Sequence, residues 1–415
     1  MTLFLADLIV RTCFQVGKSP VLQVYAQNLG AGTLLLGAIV SVSTFAGMIL
    51  KPLFGFLADR RGRWFWLAIG TCLFAGVPFF YAFIRTPDEL VALRLVHGMS
   101  TAIYGPITLA YVAAHHHHDR AEAFGWFSWA RATSYVAGPL IGGAALTIAQ
   151  PETIYQATSA FALLAFIPVA ILRGEEPNVP VPAASTSASW RMRWQSVRRN
   201  RSLLLLGITE ATTHVAIYAV KGFLPILGLA RNGDVLQIGT FLAAQEAANL
   251  LLRPTMGRIA DRTNPRLVMA FGLIAIGLGL LLFAGLENSE GMLAAAIVVG
   301  IGQSAFGPAA LALVASEAPE QDVGLSYGVV GAMRNAGKII GPLTAGGLLS
   351  VMSYWATFSL IALVPLLLAI SMLWSRSSGT SFSKAGRDKS EGQRAAQTQK
   401  TCWTCRETEF GDKSR

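Results

Sequence analysis

A nine-residue cluster, G-F-L-A-D-R-R-G-R from Gly55 to Arg63, returns in shorter form as G-R-I-A-D-R from Gly257 to Arg262. Each copy follows a long apolar stretch, and the residues four places ahead agree as well, Lys51-Pro52 answered by Arg253-Pro254. A chain that repeats itself after about two hundred residues folds as two copies of one unit. Apolar stretches of 18 to 28 residues recur from end to end, and a helix needs about 20 residues to cross the hydrocarbon core. The expected fold is therefore all-α and integral to the membrane, with twelve transmembrane helices in two pseudo-symmetric six-helix bundles. The bundles are expected at 1–173 and 202–374, with a cytoplasmic linker at 174–201 and a disordered cytoplasmic tail at 375–415.

Composition supports lipid-facing surface over soluble domains. The 415 residues are 53% hydrophobic and only 13% charged, with a mean hydropathy of +0.50. A formal charge of +10 suggests nucleic acid until its placement is read, because the basic residues fall in alternate connections. Lys51, Arg60, Arg61, Arg63, Arg120, Arg173, Arg191, Arg193, Arg198, Arg199, Arg201, Arg253, Arg258, Arg262 and Arg266 lie on one side of the layout, and only Arg85 and Arg231 lie in loops on the other. This is the positive-inside bias. It puts both termini and the duplicated clusters in the cytoplasm, in a multi-pass protein of the plasma (inner) membrane. The first apolar stretch holds Asp7, Arg11 and Lys18 and lacks a basic start, so it reads as the first helix and not as a cleaved signal peptide. It begins almost at Met1, which leaves room for a short cytoplasmic leader ahead of it.

The linker turns from Pro177, Pro180 and Pro182 to Trp190, Arg191, Trp194 and Arg198, a composition that suits either a plain connection or an amphipathic piece on the anionic leaflet. The tail is too polar to fold alone; its Cys402 and Cys405 form one C-x-x-C, a weak sign of metal or redox chemistry beside the simpler reading of an unstructured end. Four consecutive histidines, His115 to His118, follow the fourth helix. Neighbours on a helix point in different directions, so a solvated loop is the plain reading and metal or pH sensing the other.

Ionisable residues at bilayer depth cost at least ~2.5 kcal/mol each on insertion scales and usually face a cavity or a partner. Here they are duplicated. Asp7, Arg11 and Lys18 in helix one match Glu210, His214 and Lys221 in helix seven with the same spacing, and steps of 4 and 11 return to within about 40° on a helix. Arg131 precedes Gly138-Pro139 as Arg334 precedes Gly341-Pro342, with Lys338 one turn further on. Helix eight adds Glu246 beside Gln245 and Asn249. Arg11, Lys18, Arg94, Arg131, Lys221, Arg334 and Lys338 outnumber Asp7, Glu210 and Glu246, which implies a cavity of positive potential for an anionic or zwitterionic solute. Against this stands the reading that Asp7 with Arg11, and Glu210 with His214, only neutralise each other; Lys18, Lys221, Arg131 and Arg334 lack an obvious local partner. Glu246, Glu210 and Asp7 are the candidate proton carriers, with Glu246 first, because a carboxylate's proton affinity changes as a cation approaches or leaves. His97 and His214 are further candidates for relaying protons.

Gly55 to Arg63 resembles the loop signature between helices two and three of the major facilitator superfamily, and the resemblance covers the whole membrane part. Arg94 and Gly98 fit the family's helix-four spacing. Gly125, Ser134, Gly138, Pro139, Gly142 and Gly143 fit its helix-five pattern with Ser for one Gly, repeated in helix eleven as Gly328, Gly337, Gly341, Pro342, Gly346 and Gly347. That pattern accompanies proton-coupled exporters, and the resemblance implies a proton-relay role for Arg94. It also implies a latch from Gly55, Asp59, Arg60, Gly62 and Arg63, weaker in Gly257, Asp261 and Arg262, that closes the cytoplasmic side. The Gly138, Pro139, Gly142 and Gly341, Pro342, Gly346 sets suit close helix packing and a bend, whether or not they gate. Where exporters of this type place an acid after helix four, this chain has His115 to His118.

The expectation is a proton-driven transporter exporting a small organic anion or amphipathic compound by alternating access. It acts as a monomer in the lipid bilayer on a small-molecule solute and protons, without cofactor, metal or nucleic acid. An anion uptake symporter is the alternative; a membrane enzyme or non-transporting sensor is a distant one. No G-x4-G-K-[ST], G-x-S-x-G or H-E-x-x-H occurs, so neither ATP-driven pumping nor hydrolysis has a motif.

Overall fold

A computed structural model describes residues 2–115, 120–175, 195, 197–231, 233–286, 288–318 and 322–377, the side chains of 59–61, 110, 113–115, 120–126, 174–175 and 375–377 excepted. Twelve spans follow in order. They are α1 in two pieces (Thr2–Lys18 and Val21–Asn28), α2 (Thr33–Arg61), α3 (Arg63–Phe80), α4 (Pro87–His115), α5 (Arg120–Leu146) and α6 in two pieces (Pro151–Leu163 and Phe166–Ile171). The second half holds α7 (Arg201–Ala230), α8 (Val235–Arg262), α9 (Pro265–Gly285), α10 (Ser289–Glu317), α11 (Val323–Leu349) and α12 (Tyr354–Ser377). Eight of these are long and apolar enough to cross a membrane on those grounds alone. The other four, α1, α4, α5 and α11, carry Asp7, Arg94, Arg131 and Arg334, charges that the bundle turns away from lipid.

Both broken spans have a proline at fault. The first apolar stretch is not one unbroken helix: α1 stops at Lys18 and restarts at Val21, because Pro20 has no N–H to continue the ladder. In α6 the ring of Pro168 excludes an i→i−4 bond to Leu164. The turn tightens there, with the Leu164, Ala165 and Ile167 amides each donating three residues back. Elsewhere proline is kept inside long helices at matched places, Pro52 with Pro254, Pro106 with Pro308 and Pro139 with Pro342, as membrane helices allow when neighbours satisfy the freed carbonyls. One residue, Gly62, joins α2 to α3 at φ 88°, a left-handed conformation that favours glycine. The second copy makes the same turn otherwise. Asn264 accepts the Arg266 amide and Pro265 opens α9, so these replacements of Gly-Arg serve as a helix cap.

Met1–Ala369 forms one compact unit. Within it the main helix contacts come in pairs: α1 with α5 and α7 with α11; α2 with α4 and α8 with α10; α3 with α4 and α9 with α10. The N-terminal half is filled by Leu3, Phe54, Leu67, Phe74, Tyr104, Tyr111 and Phe127. Outward faces present Phe65, Phe80, Phe83, Phe161, Leu205, Leu251 and Phe271, a surface suited to lipid and not to water.

The halves meet along two seams that copy each other, α2 against α11 and α5 against α8. Gly37 lies on the carbonyl of Pro342 and Gly239 on that of Pro139, with no room for a β-carbon at either. Gly346 reaches the Thr33 carbonyl and Gly143 that of Val235, and the Ser41 hydroxyl donates to the Ile339 carbonyl at 2.7 Å. All these residues sit at the ends of their helices remote from the Gly55 and Gly257 loops. The molecule is shut at that far end.

Candidate functional site

From the seams toward the duplicated loops, the halves part around a cavity whose three lobes, of about 310, 420 and 60 Å³, share lining residues. Tyr135 of α5 and Tyr218 of α7 line all three. Six of the seven cations expected around a cavity, Arg11, Lys18, Arg131, Lys221, Arg334 and Lys338, reach its walls, as does the expected cavity residue His214, while Arg94 does not. Arg11 and Lys18 of the first stripe and Glu210, His214 and Lys221 of the second do so because α1 and α7 occupy equivalent places, each packed on the helix that carries the matching arginine.

Each half builds one buried acid–base cluster. Asp7, 2% exposed, accepts from Arg11 Nε at 2.9 Å and from Arg131 Nε and Nη2 at 2.9 and 3.1 Å. Arg131 also donates to Thr108 Oγ1 at 2.6 Å and stacks on Phe127. In the other half Glu210, 1% exposed, accepts from Arg334 Nε and Nη2 at 3.1 and 2.8 Å. His214 takes the place of Arg11. Its Nδ1 lies 2.9 Å from the Glu210 carbonyl and 3.2 Å from the carboxylate, and a nitrogen facing two acceptors carries the hydrogen. Both arginine–carboxylate pairs span 124 residues and are two-pronged, the geometry that gives such contacts their strength.

These contacts revise the idea of unpartnered cations. Arg131 and Arg334 have acids on neighbouring helices, and the Lys221 ammonium contacts Glu246, whose other oxygen accepts from Asn249 Nδ2 at 3.5 Å. The local pairs Asp7–Arg11 and Glu210–His214 do form, but as parts of three-residue clusters. All three membrane acids are thus engaged. Lys18 and Lys338 make no ion pair among the described residues; they lie over the Tyr218 ring instead, 5.9 and 5.5 Å from its centre, with Lys221 at 5.4 Å. Each ion pair named here joins residues of the same half.

The proton-coupling candidates separate by position. Glu246 and Glu210 line the cavity, whereas Asp7 is sealed behind Arg11 and Arg131. Arg94 is off the cavity wall and 1% exposed. It donates to Ser43 Oγ at 2.6 Å and the Ile39 carbonyl at 3.4 Å, over the Phe14 ring, so it binds α2 and meets no carboxylate among the described residues. His97 is buried beside it with Nδ1 3.0 Å from the Tyr81 hydroxyl. Lys51 and Arg253, expected only as cytoplasmic loop charges, line the cavity. Their matched positions ahead of the two loops were the available signal.

The latch is described in part. Gly55 and Gly257 pack on Pro106 and Pro308, Gly62 makes the α2–α3 turn, and Arg63 is half-buried. The side chains of Asp59 and Arg60 lie outside the described residues. Asp261 and Arg262 are exposed and form no ion pair among the described residues, which accords with halves that stand apart at this end. The C-terminal half has the acid that the N-terminal half lacks: Glu317 closes α10 and accepts from Arg266 at 3.2 Å. His115 occupies the equivalent place; its side chain, His116 to His118, the linker from 176 to 194 and Cys402 with Cys405 lie outside the described residues. Of the packing set, Gly138 and Gly142 press on Gln15 and the Val16 carbonyl of α1, and Gly341 on the Val215 carbonyl of α7. Pro139 and Pro342 supply the seam carbonyls that Gly239 and Gly37 meet.

Known proteins resemble this chain along most of its length. The model of the Major Facilitator Superfamily matches residues 9–228 and again 206–405. Multidrug resistance protein MdtG of Serratia proteamaculans is 24% identical over 87% of this chain and 91% of its own length. Quinolone resistance protein NorA of Staphylococcus aureus (strain MSSA476) is 25% identical over 80% and 85%, and the Staphyloferrin B transporter of Staphylococcus aureus is 24% identical over 83% and 85%. Among solved structures, the nucleoside transporter NupG superposes with a TM-score of 0.76 at 15% identity, covering 90% of this chain and 97% of that one. The sulfate complex of peptide transporter POT gives 0.74 at 15%, covering 91% and 94%. With two six-span halves around a polar cavity and a family match that runs through both, the chain is a transporter of the Major Facilitator Superfamily, and not an enzyme.

Proposed function

We propose that this protein is a proton-coupled secondary transporter that exports a small organic anion or amphipathic compound by alternating access, driven by the proton gradient without a cofactor. The observation that carries the reading is the cavity itself: it lies between the halves, and Lys18 and Lys338 face it without a carboxylate partner among the described residues. An enclosed basic wall raises the local concentration of anions and disfavours cations. The positive-inside bias assigns the open, loop-bearing end to the cytoplasm, where an exported solute would load. Export is supported by the glycine pattern of α5 and by relatives named for multidrug and quinolone resistance.

Glu246 is the proposed proton carrier. It lines the cavity and contacts Lys221, and a carboxylate relieved of a facing ammonium holds a proton more readily. Flux into inverted membrane vesicles under an imposed pH gradient, screened over organic anions and dyes, tests this assignment. An acidic lumen should drive uptake of the solute, and Glu246→Gln should cut proton-driven flux on the order of tenfold or more while solute exchange persists. Unaltered coupling in that variant rules the assignment out.

The Lys221–Glu246 contact also favours a second reading, anion uptake by symport. An anion that engages Lys221 displaces Glu246, so anion and proton then bind together, and sites linked in that sense carry both in one direction. In the same vesicles a gradient that drives anion and protons the same way would select symport.

A further inference from the structure

Three ammonium groups converge on one aromatic ring at the centre of the cavity. Lys18 comes from the N-terminal half, Lys221 and Lys338 from two helices of the C-terminal half, and all three Nζ atoms lie within 6 Å of the Tyr218 ring centre. A ring face attracts cations, which explains how three like charges gather there. It does not neutralise them. Among the described residues only Lys221 of the three meets a carboxylate, that of Glu246, whereas Arg131 and Arg334 are matched to acids in the same molecule. Lys18 also lies 5.9 Å from the Phe14 ring, a second neutral surface. Two lysines are thus left without an ion-pair partner among the described residues, one on each half, beside the tyrosine that lines all three lobes.

We propose that Lys18 and Lys338, set around Tyr218, bind a small solute that carries two anionic groups, a short dicarboxylate in kind, with one group held from each half. The inference rests on the reading of the cavity as an anion path and narrows it. A lysine acts as a flexible point charge and does not demand the planar fork that an arginine offers, so the site selects for number of charges more than for one headgroup. Lys221 remains with Glu246, and the solute joins the two halves across the gap.

The test uses the full-length protein, purified in detergent, and three four-carbon probes: butyramide, butyrate and succinate, with no, one and two charges. Binding is followed by the ligand-induced rise in thermal unfolding midpoint and by calorimetric titration. Succinate should bind about tenfold more tightly than butyrate, and butyrate more tightly than butyramide. Lys338→Gln should bring succinate down to the level of butyrate and leave butyrate within about twofold, and Lys338→Arg should keep the preference. Lys18→Gln should act as Lys338→Gln does, which guards against a misfolded variant. If butyrate exceeds butyramide but succinate gains nothing over butyrate, or if both Gln variants keep the succinate preference, the two-group site is overturned and the anion path stands. Equal binding of all three, or binding of none, overturns both.

Discussion

Asp7 and Glu210 are the residues on which the two halves balance their charge. Each is buried and holds an arginine from a neighbouring helix in two hydrogen bonds, so removing the acid strands a cation inside the bundle. Breaking a buried pair from one side costs about 3–5 kcal/mol. Asp7→Asn, which leaves Arg11 and Arg131 both unmatched, should lower the thermal unfolding midpoint in detergent more than Glu210→Gln, and Asp7→Asn with Arg131→Gln should recover part of the loss. If the double variant is no better than the single, the pair is not the unit. The sequence showed the stripes, since spacing on one helix is arithmetic. It did not show Asp7–Arg131 or Glu210–Arg334, because which helix lies beside α1 or α7 depends on tertiary packing, although the shared separation of 124 residues was there to be noticed. Tyr218 and Tyr135 went unseen because an uncharged aromatic in an apolar helix looks like any core residue.

Among the helices, the seams α2–α11 and α5–α8 decide which end of the molecule is shut. Gly37 and Gly239 each face a proline carbonyl where a methyl group does not fit, so alanine at both places should prop the far end open without harming either bundle. Spin labels at Ile148 and Val351, which are exposed at that end on opposite halves, should then report a distance longer by several ångströms in pulsed dipolar measurements. An unchanged distance distribution would show that the seams do not govern closure. The number of spans and the duplicated loops could be read from hydropathy and motif. The breaks in α1 and α6 were legible too, as Pro20 and Pro168, but a window of apolar residues averages a proline away.

Over the whole molecule, charge and contact are divided between the two ends. The far end closes by backbone fit and the Ser41 hydroxyl, whereas cations crowd the open end, including Lys51 and Arg253. Salt screens such an open field over a Debye length of about 8 Å at physiological strength. Raising ionic strength should therefore weaken anion binding to the loop-side-open form, measured by titration, and leave the spin-label distances of the empty protein as they were. A shift in those distances with salt would mean that charge holds the seams.

The ion pairs seen here stay within one half or the other, and this sets a rule for the moving machine. Rocking leaves these pairs whole, and what faces across the middle of the cavity is lysine against lysine, Lys18 of one half and Lys338 of the other. Under the reading proposed above, an anionic cargo is the strap between them, and a carrier strapped only when full makes few journeys empty.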